Sequence, residues 1–242
     1  MRADVLIFKK GIAKSRENAK KLINDNAVFI NGKAVNKPSE DFDENSIITL
    51  AESVINKYVS RGGLKLEHAL QEFNVDVRGF TALDIGASTG GFTDCLLKHG
   101  ARKVYAVDVG TAQLDKSLQN DERVVSLEKC NARECIAAVN EKCDIVVMDV
   151  SFISQTLLYK TVRFHLKDEG VFISLIKPQF EAGRAHISSG GIVSDRSVHS
   201  EIIDRIKKSA FLHGLGMLSV ICSPIKGGDG NTEYLAVFKK VN

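Results

Sequence analysis

From residue 81 onward the chain alternates short apolar runs with stretches of helical spacing. Thr81–Ile85, Lys103–Val107, Val124–Leu127, Asp144–Met148 and Val171–Ile176 read as strands. Several are apolar at nearly every position, as expected for strands covered by helices on both faces. Between and after them, Phe92–His99, Ala112–Gln119, Ala132–Asn140, Ser154–Leu166 and Ser197–Leu212 carry apolar residues at helical intervals. Leu64, Leu66, Ala69, Leu70 and Phe73 support a further helix ahead of the first strand. Leu215–Cys222 and Glu233–Phe238 close the pattern, with Gly227, Gly228 and Gly230 between them, and can pair as a hairpin-like return. This alternation predicts an α/β fold with a Rossmann-like, doubly wound sheet.

The first residues follow a different pattern. Val5, Ile7, Phe8 and Ile12, then Ala19, Leu22 and Ile23, predict two short amphipathic helices, with Ser15 placed to cap the second. Ala27–Ile30 reads as a strand, Asn31-Gly32 as a turn, Ala34-Val35 as the return and Ile47–Leu50 as another strand. A small α+β domain is therefore expected over 1–56, a linker ending in Gly62-Gly63 over 57–63, and the α/β domain over 64–242.

Charge sharpens this division. The net charge of the 242 residues is only +3, yet residues 1–37 carry +6 and everything after them −3. A basic head on a slightly acidic body points to a polyanionic partner. The apolar runs reach no further than Val171–Ile176, far below the roughly 20 residues of a membrane-spanning helix. The N-terminus lacks the apolar stretch of a secretory signal. Cys95, Cys130, Cys135, Cys143 and Cys222 form no CxxC pair, which predicts reduced thiols, no metal site and a cytoplasmic protein.

The head resembles the S4 RNA-binding domain. The resemblance rests on Arg2-Ala3-Asp4, Gly11, Ala13, Ser15-Arg16, Ala19, Ile23 and Val28-x-Ile30-Asn31-Gly32. It implies that Arg2, Lys9, Lys10, Lys14, Ser15, Arg16, Lys20 and Lys21 lie along RNA, with Arg61 at the junction adding to them. No aromatic stacking platform is evident in the head, so contact with phosphate and shape is expected.

Behind the first strand of the larger domain stands Asp84-Ile85-Gly86-Ala87-Ser88-Thr89-Gly90-Gly91-Phe92. Glycines there let the backbone approach a ligand, and the following helix N-terminus favours negative charge. The order differs from the dinucleotide pattern G-x-G-x-x-G, and no P-loop GK[ST] occurs. Asp108 ends the second strand and Asn131 follows the third. The constellation looks like motif I of the S-adenosylmethionine-dependent methyltransferases. That resemblance implies a cofactor site of Asp84, Gly86, Ser88, Thr89, Gly90, Gly91, Phe92, Asp108, Asn131 and Asp149, with Asp108 on the ribose hydroxyls and Asn131 near adenine.

Charged residues stand at or near element ends on the same edge of the predicted sheet: Asp149, Lys177 and Glu233, with Lys65 just after Gly62-Gly63. In order and context they match the Lys-Asp-Lys-Glu tetrad of the FtsJ-like ribose 2′-O-methyltransferases. A ribose hydroxyl must lose its proton as it is methylated, and Lys177 is the candidate base or hydroxyl-orienting group. Burial and Lys65 favour a neutral amine there, whereas Asp149 and Glu233 oppose it.

The two parts together resemble the TlyA family, also called haemolysin A, through Tyr58–Leu66, Val147–Ser154 and Ile176–Glu181. Membership implies 2′-O-methylation of cytidine in ribosomal RNA, with ribosomal RNA or ribosomal subunits as partner; a monomer is expected. A non-catalytic RNA-binding or assembly factor is the alternative, which the intact loop and tetrad oppose. A membrane-perforating haemolysin finds no signal, spanning segment or barrel-like alternation in the sequence. The segment Glu181–Ser194, with Arg184, is expected to form a mobile loop over the RNA.

Overall fold

The computed structural model describes residues 1–13, 15–24, 27–50, 57–134, 138–183, 186–188, 190–227 and 230–241, excepting the side chains of Lys21 and Leu50. Two compact units divide the chain, Met1–Lys57 and Tyr58–Asn242.

In the first unit, helices α1 (Ala3–Lys9) and α2 (Arg16–Asn24) accompany strands β1 (Val28–Ile30), β2 (Lys33–Ala34) and β3 (Ile48–Leu50), in the antiparallel order β2-β1-β3. Ser15 Oγ accepts a hydrogen bond from Asn18 N at 3.1 Å, closing the start of α2 as its sequence predicts. Asn31 and Gly32 both take positive φ, 51° and 78°, the left-handed pair that a two-residue hairpin needs. The core of this unit comprises Ala3, Leu6, Ile7, Ala13, Ala19, Ile23, Val28, Ile30 and Val35. Phe8, expected to face inward, is exposed. Ala3, Leu6 and Ile7 share the i, i+3, i+4 face, and Phe8 falls off it.

The second unit opens with α3 (Gly62–Glu72), so the glycines expected to end a linker already begin a helix. Then follow β4 (Thr81–Ile85), α4 (Gly91–Lys98), β5 (Lys103–Val107), α5 (Lys116–Gln119), β6 (Val124–Leu127) and β7 (Cys143–Met148). A 3₁₀ turn, Gln155–Leu158, leads into α6 (Tyr159–His165) and β8 (Leu166–Ile176). After α7 (Pro178–Glu181) come α8 (Arg196–Leu212), β9 (Leu215–Cys222) and β10 (Tyr234–Lys240).

The seven strands lie in the order β6-β5-β4-β7-β8-β10-β9. Strands β4 to β8 run parallel, and β10 inserts antiparallel to both β8 and β9. Alternate residues feed two cores. Leu83, Ile85, Val146, Met148, Phe172 and Phe238 meet α6 and α8 on one face. Ala82, Val104, Ile145, Val147, Ile173 and Leu235 meet α3 and α4 on the other. The order reverses between β4 and β7, which opens a crevice beyond the carboxyl ends of β4, β5 and β7.

Two predicted helices differ from expectation. The helix expected over Ala112–Gln119 begins only at Lys116, because Ala112 adopts a φ of 51° and Asp115 caps Ser117 N at 2.9 Å. Residues 132–134 form a turn where Ala132–Asn140 was expected helical, and residues 135–137 lie outside the described residues. Strand β8 starts five positions early, at Leu166, which pairs with Cys143.

Candidate active site

The crevice holds a cavity of about 530 Å³, lined by Gly86, Ser88, Asp108, Asn131, Asp149 and Phe152 among others. That volume suits a nucleoside-sized ligand. Asp108, just beyond β5, ties two loops together: its carboxylate accepts from Ser88 N at 2.8 Å and from Gly110 N at 2.7 Å. Beneath the cavity Asp84 is fully buried. Its Oδ2 accepts from Thr93 Oγ1 at 2.7 Å, whereas its Oδ1 has no hydrogen-bond partner. Burial pushes the Asp84 carboxyl up to about 7; Thr93 opposes the shift, and the charges of Asp149 and Asp108 add to it. Two carboxylates on the cavity wall, Asp108 and Asp149, with buried Asp84 close enough to feel both, suit a cationic ligand and repel a phosphate.

The glycine loop is shaped by the protein itself. A Cβ on Gly86, whose φ is +83°, would meet Asp149 O at 2.5 Å, so this glycine lets the end of β7 close against the loop. At Gly91 a Cβ would strike Ser60 Oγ at 2.2 Å, where the chain enters α3. Gly90 packs on Leu114 and Leu118, Phe92 is buried in the core, and neither they nor Thr89 and Gly91 line the cavity. The sequence placed all of these beside a ligand; the structure brings only Gly86, Ser88, Asp108, Asn131 and Asp149 to the cavity wall.

The four charged residues resolve into two ion pairs. Lys65 Nζ lies 2.5 Å from Glu233 Oε2, both side chains being buried. Lys177 Nζ lies 2.6 Å from Asp149 Oδ1, out of line for a hydrogen bond, and donates to Ser151 Oγ at 2.8 Å. Gln179, two residues beyond Lys177, connects the pairs by donating to Glu233 Oε1 at 3.4 Å. Parallel strands β7 and β8 end side by side, and β10 pairs with β8 from the other side. The adjacent ends of these three strands gather Asp149, Lys177 and Glu233 at one place.

Three residues not singled out by the sequence frame these pairs. Phe152 is 88% exposed with a φ of 67°, and its ring lies 5.0 Å from that of Phe180. An exposed aromatic in left-handed backbone at a cavity mouth is a signal of substrate contact that only the structure supplies. Glu181 is buried and accepts from Ser154 Oγ at 2.7 Å and Gln155 N at 2.8 Å, bolting the segment after Asp149 to the segment after Lys177. Burial raises its carboxyl above the ordinary range, against the hydrogen bonds from Gln155 and Ser154. Asn231, buried ahead of Glu233, accepts from Val193 N at 3.1 Å and donates to Gly191 O at 3.0 Å, holding part of the expected mobile loop. Arg184 lies outside the described residues.

In the first unit, buried Asp4 accepts from Arg2 Nε at 3.0 Å and Arg16 Nη2 at 2.8 Å, leaving both guanidinium side chains about half exposed. Burial would raise this carboxyl, but the hydrogen bonds from Arg16 and Arg2 hold it below the usual range. Lys10 Nζ donates to Ser46 O at 2.8 Å, and Lys9 lies 3.5 Å from Glu44. Lys20 is half-buried on α2. Lys14 and the side chain of Lys21 lie outside the described residues. Arg61 immediately precedes α3 in the second unit.

A family model for the FtsJ-like methyltransferase matches residues 58–240, and one for the S4 domain matches residues 1–48. The chain is 43% identical to "Hemolysin A" of Brachyspira hyodysenteriae, over 98% of this chain and 99% of the relative. It is 40% identical to the "16S/23S rRNA (cytidine-2′-O)-methyltransferase TlyA" of Mycobacterium tuberculosis, over 96% of this chain and 87% of that one. A solved structure described as "Putative hemolysin from Streptococcus thermophilus" superposes with a TM-score of 0.79 at 42% identity, covering 100% of this chain and 89% of the other.

Proposed function

The chain belongs to the FtsJ-like methyltransferase family, and from that premise we propose that it methylates the ribose 2′-hydroxyl of cytidine in ribosomal RNA, using S-adenosylmethionine. The observation that carries this reading is the Lys177–Asp149 pair at the mouth of a carboxylate-lined cavity, beside an exposed aromatic ring. The relatives named as rRNA (cytidine-2′-O)-methyltransferases support the substrate, and the S4 domain supports RNA as the partner of the head.

Gly86, Ser88, Asp108, Asn131 and Asp149 would hold the cofactor, whose sulfonium supplies an electrophilic methyl group, and buried Asp84 would act on it through its charge. Asp108 is the acceptor for a ribose diol, since it lines the cavity and a carboxylate oxygen can accept more than the one backbone bond that each of its oxygens takes. Lys177 meets the RNA ribose, taking the hydroxyl proton or orienting the hydroxyl. Asp149 holds the Lys177 side chain at the cavity. Lys65 and Glu233 form a buried ion pair, and Gln179 relays its position to the Lys177 segment. Phe152 offers a face on which the target base can stack. Arg2 and Arg16, fixed by Asp4, contact RNA phosphates. We place this activity in the cytoplasm, with the ribosomes; no helix among the described residues is long and apolar enough to cross a membrane.

Mass-spectrometric mapping of ribosomal RNA after incubation with the protein and methyl donor tests the reading. A new 2′-O-methylcytidine is expected. Cofactor binding without methylation of either subunit's RNA would point instead to an assembly factor.

A further inference from the structure

Ser151 stands two residues beyond Asp149, where an extended chain returns to the same side. Its hydroxyl accepts the hydrogen bond from Lys177 Nζ at 2.8 Å, while Asp149 Oδ1, at 2.6 Å from the same nitrogen, lies out of line. Asp149 therefore attracts the amine without setting its rotation, and Ser151 sets it. Phe180 adds only a ring, with its centroid 5.8 Å from Nζ. Other charges nearby among the described residues are Lys65 and Glu233, which pair with each other and reach the Lys177 segment through Gln179, and Asp84, which feels the charge of Asp149.

A neutral amine has two N–H bonds and one lone pair at tetrahedral positions. With one N–H directed to Ser151, rotation about the Cε–Nζ bond is set, and the second N–H and the lone pair take the two remaining vertices. We propose that Ser151 is a positioning residue that aims the Lys177 amine at the ribose hydroxyl. This rests on the reading of Lys177 as the group that meets that hydroxyl. Without the serine hydroxyl the amine turns freely about its Cε–Nζ bond. Since an accepting hydroxyl also favours the ammonium form over the amine, its loss makes the amine neutral at lower pH.

The test compares wild type with Ser151→Ala and Ser151→Thr in single-turnover methylation of ribosomal RNA across pH 6 to 10, alongside NMR titration of the Lys177 Cε resonance in the full chain. Ser151 is exposed, so both variants are expected to fold. Ser151→Ala should lower the plateau rate about tenfold, the scale of one lost hydrogen bond. The midpoint of its rate profile and of its Lys177 titration should move to lower pH, with KM for RNA unchanged. Ser151→Thr, which keeps the hydroxyl, should restore both. A wild-type plateau in the alanine variant overturns the proposal. So does a reduced plateau with both midpoints unmoved, because a loosened loop would slow the reaction without changing when the amine loses its proton. If wild type methylates no ribosomal RNA, the functional reading fails, and the NMR titration alone decides whether Ser151 governs the amine: an unmoved Lys177 midpoint overturns the proposal.

Discussion

Lys65 Nζ and Glu233 Oε2 lie 2.5 Å apart although 168 residues separate them in the chain, and both side chains are buried. Removing one partner of a buried pair leaves an uncompensated charge, at a cost of about 3–5 kcal/mol. Lys65→Ala and Glu233→Ala should each lose stability on this scale in urea unfolding. The double variant Lys65→Met/Glu233→Leu should recover most of the stability and none of the methyl transfer. Single variants as stable as wild type would show that the pair contributes nothing to folding.

Lys177→Ala should abolish methyl transfer while leaving cofactor and RNA affinity nearly intact, because its contribution arises in the transition state. Lys177→Arg separates the two roles left open by the sequence. Guanidinium keeps its charge at any working pH and cannot accept the proton. Substantial single-turnover activity in the arginine variant would leave Lys177 an orienting role only.

Asp84 predicts a pH dependence of stability. Its carboxyl sits at about 7 in the folded chain, against an ordinary value of 3.8. Between these values the folded state holds a proton that the unfolded state has released, so stability falls as pH rises through the window. Between pH 5 and pH 8 this group should cost about 2–3 kcal/mol, at 1.36 kcal/mol per pKa unit. Asp84→Asn should remove that slope. Urea unfolding of both proteins at the two pH values measures it; parallel losses would show that Asp84 does not titrate there.

In the head, Asp4→Asn pits charge against geometry. The substitution raises the net charge of residues 1–37 from +6 to +7, and electrostatics alone predicts tighter RNA binding. If Asp4 acts by holding Arg2 and Arg16 in place, binding should weaken about tenfold or more, the scale of losing one charged hydrogen bond. Fluorescence anisotropy with a ribosomal RNA fragment, over a range of salt, distinguishes the two.

Strand positions were legible where short apolar runs stand between turns and helices, whether the strand is buried on both faces, as Thr81–Ile85 and nearly all of Lys103–Val107 are, or partly exposed, as Val124–Leu127 and Leu215–Cys222 are. Thr81–Ile85, Lys103–Val107, Val124–Leu127 and Leu215–Cys222 have the bounds that their apolar runs predict. The expected helix over Ala112–Gln119 was shortened by one residue's backbone, Ala112 in the left-handed region, which a periodicity argument cannot see. The site was legible as far as charge marks a residue: Lys65, Asp149, Lys177 and Glu233 stand out in sequence. Ser151, Phe152, Gln179 and Glu181 do not, because their significance lies in what they face. The loop glycines were read as sites where the backbone approaches a ligand; in the folded chain the group close to Gly86 is Asp149 and the group close to Gly91 is Ser60.

The insertion of β10 between β8 and β9 bears on how the protein is made. Glu233 is synthesised 168 residues after Lys65, a delay of roughly 10–30 s at ordinary rates of chain elongation. Until then β8 presents an open edge, the kind that recruits foreign strands, and Lys65 has no counter-ion from β10. A product cut short anywhere before Glu233 would carry the S4 head and the glycine loop, with Lys65 lacking the carboxylate that it meets in the folded chain.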